Sequence, residues 1–392
     1  MRGFRLLCVP VCAFFFSVDL VGSTAFKQTA GADILVAKEG AGKQPPWQTV
    51  ILSFYKGFST ALSAAIGDFV KTHSADASLV SNVLFFWKSL GDELLYTAVI
   101  ENPRQAGALV AVWLKAVQAF GITLRESDNK GLDLKSTAWL AGFPLKNREV
   151  IFQSSSGQSA DKVELDNDAD ASVEQYALLN EWYRESGGRK SDMQLDFLGT
   201  SIDTGFRLTG FSTPEKMCIS IELALILCMS LVTGWGTEIK VQYDGNEVLK
   251  GVLGGREYPI LWISVYTHND VAMLEKRLLG ARDHDLNPQA IVAYCRAFIA
   301  SKDLFLISPF IYKCGTPDFE AIEPWYIDWL ISRKSYLEKE TEKARLKTEQ
   351  SASDVESPSV ATDAVAEQGA KETVERSTGE AASYFGKLGT RA

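Results

Sequence analysis

The chain opens on a hydrophobic run that changes rhythm as it proceeds. Val9 to Val18 is rich in β-branched and aromatic residues, and this predicts a buried first strand. A Gly22-Ser23-Thr24 turn follows, and then a polar stretch from Lys27 to Pro46 whose glycines and Pro45-Pro46 pair predict a loop. From Trp47 to Lys71 the apolar residues Val50, Ile51, Phe54, Phe58, Leu62, Ile66 and Phe69 recur at threes and fours, the spacing of one face of a helix. Val83 to Val99 reads as two apolar runs broken by Lys88-Ser89-Leu90-Gly91-Asp92-Glu93, a hairpin with a polar tip. A second helix over about Pro103 to Phe120 and a strand over about Leu132 to Leu140 complete the series. The order strand, helix, two strands, helix, strand is that of an α+β, ferredoxin-like (βαββαβ) sheet with helices over one face.

Beyond this core the pattern loosens. Residues 154–192 are polar and acidic. Asp166, Asp168 and Asp170 alternate there as in a calcium loop, but the glycine and closing glutamate such a loop needs are missing, so a solvated insertion is expected. Ser212-Thr213-Pro214-Glu215 has the form of a capping box and predicts a helix from about Pro214 to Leu231. That helix is apolar nearly all round yet short for a bilayer and interrupted by Glu222, so it is expected to be buried. Ile239 to Tyr243 and Pro259 to Tyr266 read as strands, and a mixed region runs to about Ser332. Charges dominate from Lys334 to Gln350, and the remainder has the composition of a disordered tail. These shifts divide the chain into a main domain over 1–270, an extension over 271–333 and a charged helix with tail over 334–392.

Composition narrows the function classes. With 392 residues, 46% of them hydrophobic, the chain can bury a large core. A net charge of −9 argues against a protein that coats nucleic acid, whose phosphates call for a basic surface. The six cysteines, at 8, 12, 218, 228, 295 and 314, form no CxxC pair and no zinc-like grouping with histidine, as expected of free thiols in a reducing cytoplasm. Met1 to Phe16, with Arg2 and Arg5 before an apolar run, has the outline of a secretory signal. The run leads straight into Ser17-Val18-Asp19-Leu20-Val21-Gly22-Ser23-Thr24, however, and cleavage would cut into that segment. A cytoplasmic protein with no membrane span is the reading that follows.

Two carboxylates stand out. Asp19 in FFFSVDLVGST and Asp92 in WKSLGDELLY each end or follow a hydrophobic strand in a glycine-containing turn. Either alone is an ordinary turn former. On adjacent strands they would sit side by side, and like charges at close range raise each other's pKa unless a cation holds them ionised. Mg²⁺ suits such a pair, taking one or two protein carboxylates and filling its shell with water and substrate phosphate. The backbone N–H groups of Gly22-Ser23-Thr24, at the start of a helix, are placed to form an anion-binding concavity.

Taken together, these segments resemble the class III adenylate and guanylate cyclases. Val18-Asp19-Leu20-Val21-Gly22-Ser23-Thr24 is similar to the family's metal-binding strand end and phosphate-holding turn, and Lys88-Ser89-Leu90-Gly91-Asp92 to its Lys-x-x-Gly-Asp hairpin. Asp196-Phe197-Leu198-Gly199-Thr200-Ser201-Ile202-Asp203-Thr204-Gly205-Phe206-Arg207 resembles the segment with a base-reading aspartate, a ribose-orienting asparagine and a transition-state arginine. All three stand in the family's order, over roughly residues 9 to 265. The resemblance implies that Asp19 and Asp92, with the backbone of Leu20, ligate two divalent metal ions, Mn²⁺ or Mg²⁺. It makes Lys88 and Asp196 the base-reading pair and gives Arg207 the charge on the reacting phosphate. Asp203 stands where the family has asparagine; a carboxylate accepts a ribose hydroxyl proton but cannot donate one. For the lysine that binds the triphosphate, Lys250 and Arg256 in LKGVLGGREYPILW are the candidates.

The implied reaction converts a nucleoside triphosphate to a 3′,5′-cyclic monophosphate and pyrophosphate, in a homodimer whose two composite sites draw on both chains. The nucleobase stays open. Lysine with aspartate is the adenine pair in the family and implies ATP. The long acidic insertion and Gly-Asp-Glu at the hairpin are similar instead to the stand-alone bacterial pyrimidine cyclases of antiphage defence, which make cyclic UMP or cyclic CMP for a neighbouring effector; UTP is favoured on that resemblance. An inactive homologue that only binds nucleotide is the reading from another class. No Gly-Gly-(Asp or Glu)-Glu-Phe hairpin of a diguanylate cyclase is present.

Overall fold

The computed structural model describes residues 10–30, 46–126, 131–153, 171–184, 193–232, 239–266, 287–302, 305–311, 314–315, 319 and 323–355. Its main sheet is built around β1 (Val11–Val21), which is hydrogen-bonded on both sides, to β3 (Glu93–Ile100) and to β4 (Asp133–Phe143), both antiparallel. With β2 (Phe85–Leu90) at the edge, the first four strands lie in the order β2-β3-β1-β4. That is the arrangement the βαββαβ reading requires, and the chain is an α+β protein as expected. The sheet then continues through β7 (Lys216–Ile219), parallel to β4, to β9 (Glu257–Ser264) and β8 (Val241–Val248), giving seven strands.

Alternation along β1 explains the two faces. Phe14, Phe16, Val18 and Leu20 point to one side and are buried under α2 (Pro46–Thr72) and α3 (Gln105–Glu126). Phe16 stacks on Trp113 of α3 at 4.7 Å, and the Trp113 indole N–H donates to Ser136 Oγ at 2.8 Å, which donates in turn to the Ser17 carbonyl at 2.7 Å. Truncating Phe16 to alanine is expected to cost about 3–5 kcal/mol, since the ring is wholly buried. Both helices are long and apolar enough to cross a bilayer by composition; here each lays an apolar face on the sheet.

The opposite face carries Ala13, Phe15, Trp139 and Phe143, covered by a hairpin and a short helix. The hairpin pairs β5 (Asn147–Gln153) with β6 (Met193–Gly199) as a separate two-stranded sheet, and between them α4 (Ala171–Arg184) buries Leu179 against Ile151 and Met193. The solvated-insertion reading is therefore corrected over 171–184, where Val173, Leu178 and Leu179 supply an apolar stripe that the surrounding acids conceal; the rest of 154–192 lies outside the described residues. The helix is α5 (Thr200–Leu208). Its Gly205 lies flat on Trp139, and a Cβ there would come within 2.2 Å of the indole.

Other boundaries also shift. The helix expected over Pro214–Leu231 is a strand and a helix: β7, then α6 (Ile221–Val232). Thr213 Oγ accepts from the N–H of Glu215 and Lys216 in a turn rather than a helix cap, and it is Ser220 Oγ that accepts from Leu223 at the start of α6. The tertiary partners of β7, which pairs on both sides, override the local capping pattern. β1 runs to Val21, so Asp19 sits inside a strand rather than in the turn after it. Lys27 belongs to α1 (Ser23–Ala30) rather than to a loop.

The chain separates into two compact units, Met1–Lys162 with Asn167–Thr341 and Val163–Asp166 with Glu342–Ala392. In the first, α7 (Pro288–Ala300) begins at an Asn287 cap and buries Ile291, Cys295 and Ile299, while α8 (Pro324–Val355) starts by burying Tyr326 and Leu330. The helical part of the second is the C-terminal end of α8, where Arg345 pairs with Glu342 at 2.7 Å. Helix thus continues past Gln350, where the composition suggests a tail; residues 356–392 lie outside the described ones.

Candidate active site

At the C-terminal end of β1 three carboxylates meet. Asp19 is the register partner of Glu93 on β3 and of Lys135 on β4, which places all three on the face opposite α2 and α3. Lys135 Nζ lies 3.2 Å from Asp19 Oδ2. Asp92, in the tight β2–β3 turn, is drawn toward β1 because its carbonyl accepts from Leu20 N–H at 3.3 Å. Its carboxylate accepts from Ser23 Oγ, at the first position of α1, and lies 3.3 Å from Lys27 Nζ. Ser17 Oγ donates to Glu93. The turn is made possible by Gly22, whose φ of +82° and approach to Gly131 leave no room for a Cβ.

The charges respond to this crowding. Burial pushes the Asp19 carboxyl above the ordinary range, Lys135 offsets part of the rise, and the charge of Asp92 adds to it. Glu93 is raised by burial too, against the hydrogen bond from Ser17 and with the charges of Asp19 and Asp92 adding to the rise. Asp92 goes the other way. Burial acts on it as well, but Ser23, its own backbone N–H and Lys27 together hold it below the usual value. Two lysines and three carboxylates leave one negative charge over. Among the described residues no group of three or more His, Cys, Asp or Glu side chains is arranged to hold an ion. The donors that are present, Asp19 and Asp92 as hard oxygen ligands, fit a cation such as Mg²⁺ that completes its shell with water and phosphate.

On the same face, Lys88 and Asp196 meet. A bulge in β2 between Phe86 and Lys88 lets two consecutive residues turn to that side. Trp87 packs edge-on against Phe15 and Phe197 at 5.3 and 5.0 Å, and Lys88 Nζ lies 4.3 Å above the Trp87 ring. From there it donates to both oxygens of Asp196 on β6, at 2.7 and 2.9 Å.

Asp203 and Arg207 are exposed and one turn apart on α5, and the Arg207 guanidinium has no ion pair among the described residues. Asp203 lines a cavity with Cys12 and Leu140. Cys12 is seven residues before Asp19 on β1, about 23 Å along an extended strand. A single chain therefore brings Asp19 together with Asp92, and Lys88 with Asp196, but holds Asp203 away from the carboxylates. Thr24 is exposed beside the buried Ser23. Lys250 and Arg256 flank a loop whose Gly251 and Gly254 have φ of +81° and +63°; both side chains are exposed, and Arg256 lies over the Phe305 ring at 5.2 Å. Neither pairs with a carboxylate among the described residues.

Sequence reasoning missed Glu93, Lys135 and Lys27. Glu93 adjoins Asp92 in Gly-Asp-Glu and was visible as a third acid at the tip. Lys135 carries no local signal, because only the β1–β4 register places it across from Asp19.

Comparison with known proteins finds no matching family model and no matching curated protein. Solved structures similar to this chain include the adenylyl cyclase CyaB from P. aeruginosa, 11% identical over 67% of this chain and 97% of that one, with a TM-score of 0.41. The guanylate cyclase domain of RhGC from Catenaria anguillulae in complex with GTP is 10% identical over 65% of this chain and 97% of its own, with a TM-score of 0.36. The guanylyl cyclase Cya2 is 12% identical over 65% and 92%, with a TM-score of 0.35. With likeness this partial, neither substrate nor metal passes from those proteins to this one.

Proposed function

We propose that this protein is a nucleotide cyclase of the class III kind, converting a nucleoside triphosphate to a 3′,5′-cyclic monophosphate and pyrophosphate. The observation that carries the reading is the joining of Asp19 and Asp92, distant in sequence, on the same sheet face as the Lys88–Asp196 pair. In the reaction the ribose 3′-oxygen bonds to the α-phosphorus while the bond from that phosphorus to the β-phosphate bridging oxygen breaks. Asp19 and Asp92, with the Leu20 carbonyl, are the groups to hold two Mg²⁺ or Mn²⁺ ions, which when bound lower the pKa of the hydroxyl and neutralise the triphosphate. Gly22, Ser23 and Thr24 present the start of α1 to phosphate. Lys88 donates to the base and Asp196 accepts from it. Arg207 stabilises charge on the reacting phosphate and Asp203 accepts from a ribose hydroxyl. In a homodimer, Lys88, Asp196, Asp203 and Arg207 of one copy serve the site whose metal carboxylates belong to the other, and the separation of Asp203 from the carboxylates of its own chain supports that division.

UTP is the proposed substrate, its cyclic product acting as a second messenger for a defence effector. ATP is the second reading, favoured by one observation: Lys88 and Asp196 form a donor and acceptor side by side, as an adenine edge requires. The test is incubation of purified protein with Mn²⁺ and each of ATP, GTP, CTP and UTP separately, with products resolved by chromatography. A cyclic nucleotide from UTP above all others is expected; no cyclic product from any of the four overturns the proposal.

A further inference from the structure

Between α5, α6 and the segment Phe305–Phe310 lies a cavity of about 180 Å³. It sits at the N-terminal end of β1, beside Cys12, and away from Asp19. Its walls are largely apolar, with Leu140, Phe310 and Tyr326 among them. Glu222, in the first turn of α6, lines it and is 8% exposed. One carboxyl oxygen of Glu222, Oε2, has no hydrogen-bond partner among the described residues. A buried oxygen left unpaired has lost its water without replacement, a cost that a donor entering the adjacent space recovers. Around the cavity stand two acids, Glu222 and Asp203, against one base, Lys146. A cation brought beside Glu222 favours its ionised form, and Glu222 and Asp203 then outweigh Lys146 around an apolar body.

From this geometry we infer a binding site for a small amphipathic cation, an aryl or alkyl amine whose apolar part fills the cavity and whose ammonium group meets Glu222. The site shares neither Asp19 nor Asp92 with the proposed active site, and only Asp203, on its rim, belongs to both readings. It joins elements that are far apart in the chain, β1, α5, α6 and the start of α8, so its occupancy raises the stability of the whole protein.

The probe is phenethylamine, with 2-phenylethanol as its uncharged counterpart of matching shape, and the full-length chain is titrated by calorimetry and followed by thermal unfolding. Phenethylamine is expected to bind and raise the unfolding temperature, with 2-phenylethanol about tenfold weaker. Glu222→Gln keeps the side-chain shape and is expected to weaken the amine about tenfold, whereas Lys146→Ala removes the competing positive charge and tightens it. Because the Lys146→Ala effect is a gain, it is not mimicked by misfolding. No binding of phenethylamine, equal binding of the alcohol, or an amine affinity untouched by Glu222→Gln and Lys146→Ala overturns the assignment.

Discussion

Lys88 on β2 and Asp196 on β6 are joined by two hydrogen bonds, 2.7 and 2.9 Å long, although 108 residues separate them in the chain. Both side chains are largely buried, 20% and 19% exposed, so the attraction between them is offset by the water each has lost. Its value lies in what it can recognise. Replacing Lys88 by Glu and Asp196 by Cys is expected to move the nucleotide preference toward GTP by orders of magnitude in relative rate, since a discriminating site leaves buried polar groups unpaired on the wrong base. Competition assays with mixed triphosphates measure the shift; an unchanged preference would show that the base is read elsewhere.

Asp19→Ala and Asp92→Ala are each expected to abolish cyclisation while the fold survives. Each change removes a candidate metal ligand, and loss of Asp19 also relieves a buried carboxyl that Asp92 repels. Turnover, Mn²⁺ affinity and circular dichroism, measured together, separate loss of chemistry from loss of structure. Wild-type turnover in either variant would falsify the role given to these aspartates.

Mixing Asp19→Ala chains with Arg207→Ala chains is expected to restore activity, to at most about a quarter of the wild-type level for random pairing, because each heterodimer holds one intact composite site. Neither variant alone should be active. Failure of rescue in a mixture shown by mass spectrometry to contain heterodimers counts against the division of the site between chains.

Burial raises the Glu222 carboxyl above its ordinary 4.5, with Cys12, Tyr258 and Cys295 facing it from β1, β9 and α7. The folded protein therefore keeps this proton where the unfolded chain has released it. The stabilisation is complete below pH 4.5 and declines as pH rises toward the folded-state value, by about 1.4 kcal/mol for each pH unit between the two. Urea midpoints across that range should fall more steeply for wild type than for Glu222→Gln. Parallel curves would place the proton elsewhere.

The sequence by itself determined the first half of the architecture. The run around Phe14-Phe15-Phe16, the threes and fours of Val50 to Phe69 and the hairpin tip at Gly91 are local signals, written in the period of side chains along strand or helix, and the sheet order β2-β3-β1-β4 followed from them. It also singled out Asp19, Asp92, Lys88 and Asp196 by type and setting. Tertiary structure decided the rest. Ser212-Thr213-Pro214-Glu215 has the letters of a helix cap, yet pairing with β4 and β9 makes the residues after it a strand, because two ladders of hydrogen bonds outweigh a single cap. Lys135 opposite Asp19 and the separation of Asp203 from the carboxylates are matters of register and packing. No local pattern encodes them, since each depends on which residue of a remote strand comes to lie across the sheet.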